Sequence, residues 1–404
     1  MKIFHVVLQN MQYMDGMKND TISLSKKGWR DEMSAATPVF RADVVGSLLR
    51  PAAIKTARVN RNTDIKSIHS LRQIEDHLIH HAVNCQCELG LQVVTDGEFR
   101  RAWWHFDFFE GMEGIEGYDS AQGILFHGVE TKAHNVKVTG KIGFGNHPML
   151  ENFKYLKTVS PNATPKMTIP SPSVLHFRGG RNVVSAEVYP NIDDFFDDLA
   201  VAYQDAIAAF YAAGCRYLQL DDTVWAYLCS EKQKDLIRER GEDPTALAHT
   251  YARVINKALE NKPADMLIGL HVCRGNFRST WISEGGYEPV AELLFGHVNV
   301  DNFLLEYDSE RAGGFEPLRF VKPGHQKVVL GLVTTKTGQL ETPEQIKQRI
   351  FEAAEYVSLD QLCLSTQCGF ASTEEGNNIT EAEQKAKLEL VVQIAEDVWG
   401  KHSH

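Results

Sequence analysis

The sequence contains few cysteines and no long apolar run. Seven cysteines are scattered over 404 residues, and an odd, scattered set excludes the disulfide framework that is typical of small secreted domains. No apolar run approaches the ~20 residues that a helix needs to cross a bilayer, which excludes a membrane-spanning protein. We therefore expect a cytoplasmic protein, in which each cysteine is either a small core residue or a chemically active thiol.

Clustered positive charge is also absent. The chain has 53 acidic and 42 basic side chains and a formal net charge of −11, and no block of Lys and Arg provides the charge pattern of a nucleic-acid-binding protein. We expect small-molecule partners, with neither nucleic acid nor membrane among them. The sequence leaves the oligomeric state open.

Short apolar runs alternate with amphipathic helical patterns from Phe40 onward. Helical spacing, then a glycine, then a buried-strand pattern occurs over residues 65–94 and again over 195–220. Further strands are predicted at 267–272, 303–305, 328–333 and 362–364, and capping-box sequences begin predicted helices at Thr342 and Thr380. Such alternation predicts a parallel sheet. Because no Gly-rich dinucleotide motif follows the first strand, a TIM (β/α)8 barrel is favoured over an open sheet.

Two segments do not follow this alternation. Residues 1–36 show no sustained periodicity and are predicted to be a poorly structured N-terminal extension of a single catalytic domain at 37–404. Residues 103–172 are rich in glycine and aromatic residues, and we interpret them as an insertion near the barrel mouth, because long loops in compact folds are usually functional. A hairpin is predicted within this insertion, at residues 136–144.

Chemically reactive side chains follow the predicted strands at their C-terminal ends. In a barrel of parallel strands these ends form the face that holds the active site, so side chains far apart in sequence are expected to converge there. The residues in question are Asp96, Glu98, Asp221, Asp222, His271, Cys273, Glu306, Lys336 and Cys368.

The most informative of these motifs is His271-Val272-Cys273. Residues two apart on a strand point to the same side and can bind one ion. Imidazole and thiolate suit zinc, and Glu306 with Cys368 would complete a tetrahedral set. The alternative is that His271 is hydrogen-bonded in the core and Cys273 packs beside it.

The carboxylates and tryptophans near the predicted mouth allow two interpretations each. Asp96, Glu98, Asp221 and Asp222 either bind an ammonium group or a proton, or cap the helices that follow them. Trp103 and Trp104 either line a ligand pocket or only pack the insertion.

At these positions the sequence resembles the catalytic half of cobalamin-independent methionine synthase, a zinc enzyme of the uroporphyrinogen decarboxylase superfamily. The resemblance covers about residues 40–399 and implies a TIM barrel in which His271, Cys273, Glu306 and Cys368 bind Zn²⁺. The motifs that carry it are Val45-Gly46-Ser47, Asp96-Gly97-Glu98-Phe99-Arg100, Gln219-Leu220-Asp221-Asp222, His271-Val272-Cys273, Leu305-Glu306 and Gln367-Cys368-Gly369.

The resemblance also implies a methyltransferase of methionine biosynthesis that acts on homocysteine. Backbone at Val45, Gly46 and Ser47 would hold the substrate, and Glu98 and Asp221 would bind its amino group. A zinc-bound thiol is deprotonated, and the thiolate is the nucleophile that attacks a methyl group. The donor in this family is 5-methyltetrahydrofolate.

Two departures from the family pattern leave the methyl donor open. The stretch with a folate-stacking tryptophan is replaced by residues 169–173, and an Asp-x-His element is replaced by residues 333–337, where Lys336 is the candidate catalytic residue. A second, N-terminal barrel of the full-length family is absent from this sequence. Asp96, Trp103, Trp104 and Asp222 are the candidate donor-pocket residues.

The sequence leaves other functions as alternatives. The same zinc-thiolate chemistry could use a methyl-corrinoid, a small methylated sulfur compound or another thiol acceptor. A metal-free decarboxylase and a structural zinc-binding protein are the alternatives from other classes.

Overall fold

A computed structural model describes residues 39–60, 65–119, 123–126 and 128–401. The predicted extension at residues 1–36 lies outside this range. The strands are β1 (Val93–Val94), β2 (Glu113–Asp119), β3 (Leu125–Phe126), β4 (Val129–Glu130), β5 (His134–Gly143), β6 (Thr164–Pro170), β7 (Tyr217–Asp222), β8 (Leu267–Val272), β9 (Asn302–Glu306), β10 (Lys327–Val333) and β11 (Leu362–Thr366).

Helices separate most of these strands. The α-helices are α1 (Ala52–Val59), α2 (Ile65–Glu88), α3 (Phe106–Phe109), α4 (Pro148–Val159), α5 (Pro172–Phe177), α6 (Ile192–Ala212), α7 (Val224–Tyr227), α8 (Glu231–Glu239), α9 (Pro244–Leu259), α10 (Ala291–His297), α11 (Pro343–Ala353) and α12 (Glu381–Trp399). Short 3-10 turns lie at Gly180–Val183, Glu288–Val290, Glu310–Ala312, Glu316–Phe320 and Leu359–Gln361. Both predicted capping boxes form, because Thr342 caps α11 and Thr380 caps α12 with the reciprocal Gln345 and Glu383 contacts.

Seven strands form one parallel sheet in the order β1-β6-β7-β8-β9-β10-β11. Ala42 makes a parallel bridge to Leu364 of β11. The adjacent Asp43 accepts hydrogen bonds from Lys166 of β6 and Tyr217 of β7. One short segment therefore touches strands near both ends of the sheet, so the sheet is curled. The predicted α/β class with a parallel sheet is confirmed, and the curled sheet is consistent with a TIM-like barrel.

The segment predicted as an insertion, residues 103–172, ends differently in the structure. Its last part is β6, the second strand of the main sheet, so the predicted boundary at residue 172 is wrong. Pro165 and Pro170 lie in this strand, and prolines argue against a central strand in a sequence. The local sequence therefore conceals this strand.

The predicted hairpin within residues 136–144 is also wrong. These residues belong almost entirely to one strand, β5, which pairs antiparallel with β2. The pairing shifts register between Glu113 and Ile115, where Gly114 has φ +77° and lies against the backbone of Gly140 and Lys141. Gly140 therefore permits a close approach at a bulge within the segment predicted as a hairpin. A second ribbon pairs β3 with β4.

A buried ion pair lies inside the sheet. Lys166 Nζ is 2.7 Å from Asp43 Oδ1, and both side chains are almost fully buried, at 0% and 1% exposed. The ammonium also donates to Gln219 Oε1 at 2.9 Å and to the carbonyl of Val44. These contacts satisfy the charge and join the segment at residues 43–44 to β6 and β7.

Replacing Lys166 with Met is expected to destabilise the fold strongly. The substitution leaves the Asp43 carboxylate buried without its cation, which costs about 3–5 kcal/mol in unfolding free energy. Urea denaturation of the two proteins measures the difference. Lys154→Met is the matched control, because Lys154 and Glu151 form an exposed pair at 2.6 Å that contributes about 0–1 kcal/mol. Equal losses in both variants would contradict the prediction.

Within the described residues, no helix combines the length and the apolar character that crossing a membrane requires.

Candidate metal centre and adjoining cleft

Four candidate ligands meet at the C-terminal end of the parallel sheet. One ligand atom from each of His271, Cys273, Glu306 and Cys368 lies within 4.8 Å of every other, and all four residues are buried. The two thiol sulfurs are 3.6 Å apart. The structure thus brings together all four residues of the predicted zinc set.

The strands explain this convergence. His271 is the penultimate residue of β8, and Glu306 is the last residue of the adjacent strand β9. Cys273 follows β8 directly, and Cys368 lies two residues beyond β11. Parallel strands end at the same edge, so four residues from three strand ends face one point.

Hydrogen bonds orient two of the ligands and leave one atom of each free. His271 Nδ1 is 3.3 Å from the carbonyl oxygen of Leu304, which leaves Nε2 buried without a hydrogen-bond partner among the described residues. Glu306 Oε1 accepts the Arg274 N–H at 2.9 Å, and its Oε2 is likewise buried without a hydrogen bond. Unsatisfied buried polar atoms are uncommon in native proteins. Two of them beside two thiols fit a tetrahedral zinc site, whose ligands are N, S and O atoms of this kind.

Burial and mutual repulsion set the electrostatics of this cluster. Burial raises the pKa of the Glu306 carboxyl above its usual range, against the opposing effect of the Lys336 ammonium. Burial alone would lower the pKa of His271, but the neighbouring Cys368 and the carboxyls of Asp221 and Glu306 raise it to about 9. The site therefore attracts positive charge, as a cation site must.

Lys336 stands next to Glu306. Its Nζ is 3.8 Å from Glu306 Oε2 and 3.4 Å from Asp308 Oδ2. It is absent from the described residues that line the cleft. This position favours an effect of the candidate catalytic residue Lys336 through Glu306 over direct contact with a substrate.

A cleft with about 620 Å³ of empty space, including solvent at its mouth, adjoins the cluster. Two buried carboxylates, Glu98 and Asp221, line it together with Val45 and Ser47. Glu98 Oε1 accepts the Thr168 hydroxyl at 2.9 Å, and Glu98 Oε2 has no hydrogen-bond partner among the described residues. Asp221 Oδ1 accepts from Gln219 at 2.7 Å. The two carboxylates are thus presented to one cavity.

Burial makes both carboxyls costly to ionise. It raises the pKa of Glu98, against the opposing effect of Arg101, and it raises the pKa of Asp221 to about 7. A bound cation would offset this cost. Glu98 also has φ +59°, a left-handed conformation that is uncommon outside glycine and tends to occur at functional sites.

The backbone of residues 45–47 is held firmly around this pair. The carbonyls of Val45, Gly46 and Ser47 accept from Gln219 Nε2, Thr95 Oγ1 and the Phe370 N–H. A Cβ on Gly46 would lie 2.8 Å from Glu98 Oε1. Glycine at this position therefore allows the Glu98 carboxylate to approach the backbone closely.

The predicted donor-pocket residues separate into two groups. Trp103 and Trp104 line the cleft, whereas Asp96 and Asp222 do not. Asp96 Oδ1 accepts the Glu98 N–H at 2.8 Å, and Asp222 Oδ1 accepts the Val224 N–H at 2.6 Å at the start of α7. For Asp222 the structure favours the helix-capping role that the sequence left open, whereas Asp96 lies in a turn that no helix follows directly.

Several lining residues were not predicted from the sequence. Asn276 and Phe277 follow the Cys273 strand end, so the rule that located Cys273 could have found them. Arg178 follows β6 and α5; because β6 falls within the predicted insertion, no predicted strand end pointed to Arg178. The other unpredicted lining residues with polar or aromatic side chains are Phe126, Thr223, Tyr227, Ser372 and Thr373.

Comparison with known proteins agrees with this geometry. Residues 183–397 match the family model of the cobalamin-independent synthase catalytic domain. The chain belongs to the cobalamin-independent methionine synthase family. Within that family the match is to the C-terminal catalytic domain, as the resemblance in the sequence predicted.

Relatives of the cobalamin-independent methionine synthase family match along nearly the whole chain. A Bacillus subtilis (strain 168) protein, named as the uncharacterized protein YxjG, is 54% identical over 363 residues, covering 90% of this chain and 95% of its own length. A methionine synthase from Sulfolobus acidocaldarius is 23% identical over 338 residues, covering 83% and 87%.

A solved structure supports the same assignment. A Listeria monocytogenes protein, provisionally named a vitamin-B12-independent methionine synthase, is 47% identical with a TM-score of 0.73, covering 90% of this chain and 98% of that one. A B12-independent methionine synthase from Shewanella sp. W3-18-1 shares the fold at a TM-score of 0.66 and 20% identity, covering 90% and 98%. Methionine synthase family membership supports a methyltransferase with small-molecule substrates.

Proposed function

We propose that this protein transfers a methyl group to the thiol of homocysteine, forming methionine at a zinc ion held by His271, Cys273, Glu306 and Cys368. The observation that carries the proposal is the buried four-ligand cluster in the same cleft as two buried carboxylates. A metal centre that binds a thiol, beside groups that bind an ammonium, suits an amino-acid thiol substrate.

The ligand set favours activation of a nucleophile. When bound, zinc would supply deprotonation of the substrate thiol at neutral pH. Two thiolates and a carboxylate bring three negative charges to a divalent ion, so the added thiolate would remain electron-rich. Such a site suits attack on a methyl carbon better than polarisation of a carbonyl group.

The protein's own residues would hold the amino-acid end of homocysteine. Glu98 and Asp221 would accept hydrogen bonds from its ammonium group. The positive charge of that group would offset the cost of keeping the two buried carboxyls ionised. The carbonyls of residues 45–47 are already engaged, so their N–H groups, with the Ser47 side chain, are the donors available for the substrate carboxylate. These contacts would aim the thiol at the metal cluster.

The proposal is tested by metal analysis and a methionine assay on the same preparation. We expect about one zinc per chain and methionine formation when homocysteine is supplied with one of three donors: 5-methyltetrahydrofolate, a methyl-corrinoid or a small methylated sulfur compound. Metal-free protein would favour the decarboxylase alternative. A zinc X-ray absorption spectrum that does not change when homocysteine is added would favour a structural site.

Removal of zinc by a strong chelator should abolish methionine formation while the fold persists. The sheet core is built from apolar side chains that do not depend on the cluster, so circular dichroism should remain native. Added zinc should restore the activity. Activity that survives complete removal of the metal, as checked by elemental analysis, would contradict this prediction.

A further inference from the structure

Arg178 is a cationic side chain of the cleft whose role the proposed reaction does not explain. It follows α5 and lines the same cavity as His271 and Cys273. Its Nη2 is 3.1 Å from the Tyr227 hydroxyl, and its guanidinium carbon is 5.6 Å from the centre of the Tyr227 ring. Its Nε is buried without a hydrogen-bond partner among the described residues.

The described part of the chain offers Arg178 no carboxylate within 4.0 Å. Other arginines around the cleft are engaged: Arg101 lies 3.8 Å from Glu98 and donates to the Thr168 carbonyl at 2.6 Å, and Arg50 donates to the carbonyls of Glu98 and Ala371. A half-buried guanidinium with unused donors is suited to a planar anion, which it can bind through two parallel hydrogen bonds.

Tyr227 relates Arg178 to the metal cluster. Tyr227, whose hydroxyl contacts Arg178, lines the same cleft as Cys273 and Cys368 of the cluster. A molecule bound at Arg178 therefore shares one cavity with the cluster. The neighbouring cleft surface is aromatic. Trp104 lines it from the turn before α3, and the ring centres of Phe126 and Phe277 lie 5.2 Å apart.

We propose that Arg178 binds an anionic group, a carboxylate in the simplest case, of a small methyl donor whose methyl end lies among aromatic side chains beside the cluster. This inference rests on the proposed function, because it names the class of the second substrate. In the transfer, the homocysteine sulfur forms a bond to the methyl carbon. The bond from that carbon to the donor heteroatom breaks, with its electron pair remaining on the donor, and the thiol proton leaves to solvent.

The test uses two probes of nearly equal shape that differ in charge: (methylthio)acetate and 2-(methylthio)acetamide. Their binding to the zinc-loaded full chain is measured by ligand-observed NMR with homocysteine at saturation. We expect the carboxylate to bind roughly 10- to 100-fold more tightly than the amide, the range that charge-assisted hydrogen bonds give. Arg178→Met should abolish this preference, and Arg178→Lys should retain part of it.

Arg181→Met is the matched control, because it removes one positive charge three residues away, where Arg181 donates to the Tyr189 carbonyl and does not line the cleft. It should leave the preference unchanged. Equal binding of the two probes by the unaltered protein would overturn the inference. So would a comparable loss of homocysteine affinity in Arg178→Met, since Arg178 would then bind the amino acid. If the proposed function is wrong, the same spectra will show that the zinc-loaded chain does not bind homocysteine, a result distinct from the failure of this inference.

Discussion

Replacing Cys368 with Ala is expected to remove both bound zinc and methionine formation. The thiol is one of four buried groups whose ligand atoms lie within 4.8 Å of one another, and the remaining three groups, with one thiolate fewer, would bind the ion more weakly. We expect zinc per chain to fall from about one to near zero after dialysis. Activity should fall by roughly 10³-fold or more, because the thiol nucleophile would revert to its protonated form. Elemental analysis and the methionine assay measure the two effects.

Cys363→Ala provides the matched control for that experiment. Cys363 lies five residues earlier in β11, is 2% exposed, and packs in a small cluster with Val45, Leu304 and Val329. Its loss should cost about 1 kcal/mol of stability through a small cavity and leave zinc content unchanged. If Cys368→Ala kept stoichiometric metal, or if Cys363→Ala lost it, the assignment of the ligand set would be wrong.

The metal cluster could be predicted from the sequence because its geometry follows from strand ends. His271, Glu306 and Cys368 each follow or end an apolar run that forms a strand, and parallel strands bring such residues to one face. Glu98 after β1 and Asp221 near the end of β7 could be predicted by the same rule, that side chains at the C-terminal ends of parallel strands converge. The pattern of apolar runs was sufficient there, because short stretches of sequence determine where each strand ends.

The aromatic and cationic side of the cleft could not be predicted in the same way. Two prolines in β6 argue against a central strand in the sequence, so no predicted strand end pointed to Arg178 after α5. Residues 136–144 were predicted as a hairpin but lie almost entirely in one strand, with Gly140 at a bulge opposite Gly114. In both cases tertiary contacts between distant segments override a local pattern. Asp96 and Asp222 lie at strand ends, as the ligands do, but they accept hydrogen bonds from local backbone N–H groups and do not line the cleft.

Glu98→Gln is expected to reduce strongly the preference of the site for an amino-acid thiol. The substitution keeps the shape of the side chain and its Thr168 contact but removes the charge that an ammonium group would bind. Homocysteine and 4-mercaptobutanoate share the thiol and the carboxylate and differ only in the amino group. For the unaltered protein we expect homocysteine to bind about 10²- to 10³-fold more tightly, from two charge-assisted hydrogen-bonding carboxylates.

In Glu98→Gln the ratio of the two affinities should fall by roughly 10- to 100-fold, while 4-mercaptobutanoate binds as before. This ratio isolates the carboxylate, because any damage to the metal cluster weakens both thiols equally. Glu75→Gln is the control: Glu75 is also buried, but it pairs with Arg58 and Arg100 away from the cleft residues. It should lower stability and leave the ratio intact. A ratio near one in the unaltered protein would mean that the two carboxylates do not recognise an amine, and the substrate would then be a thiol without an amino group.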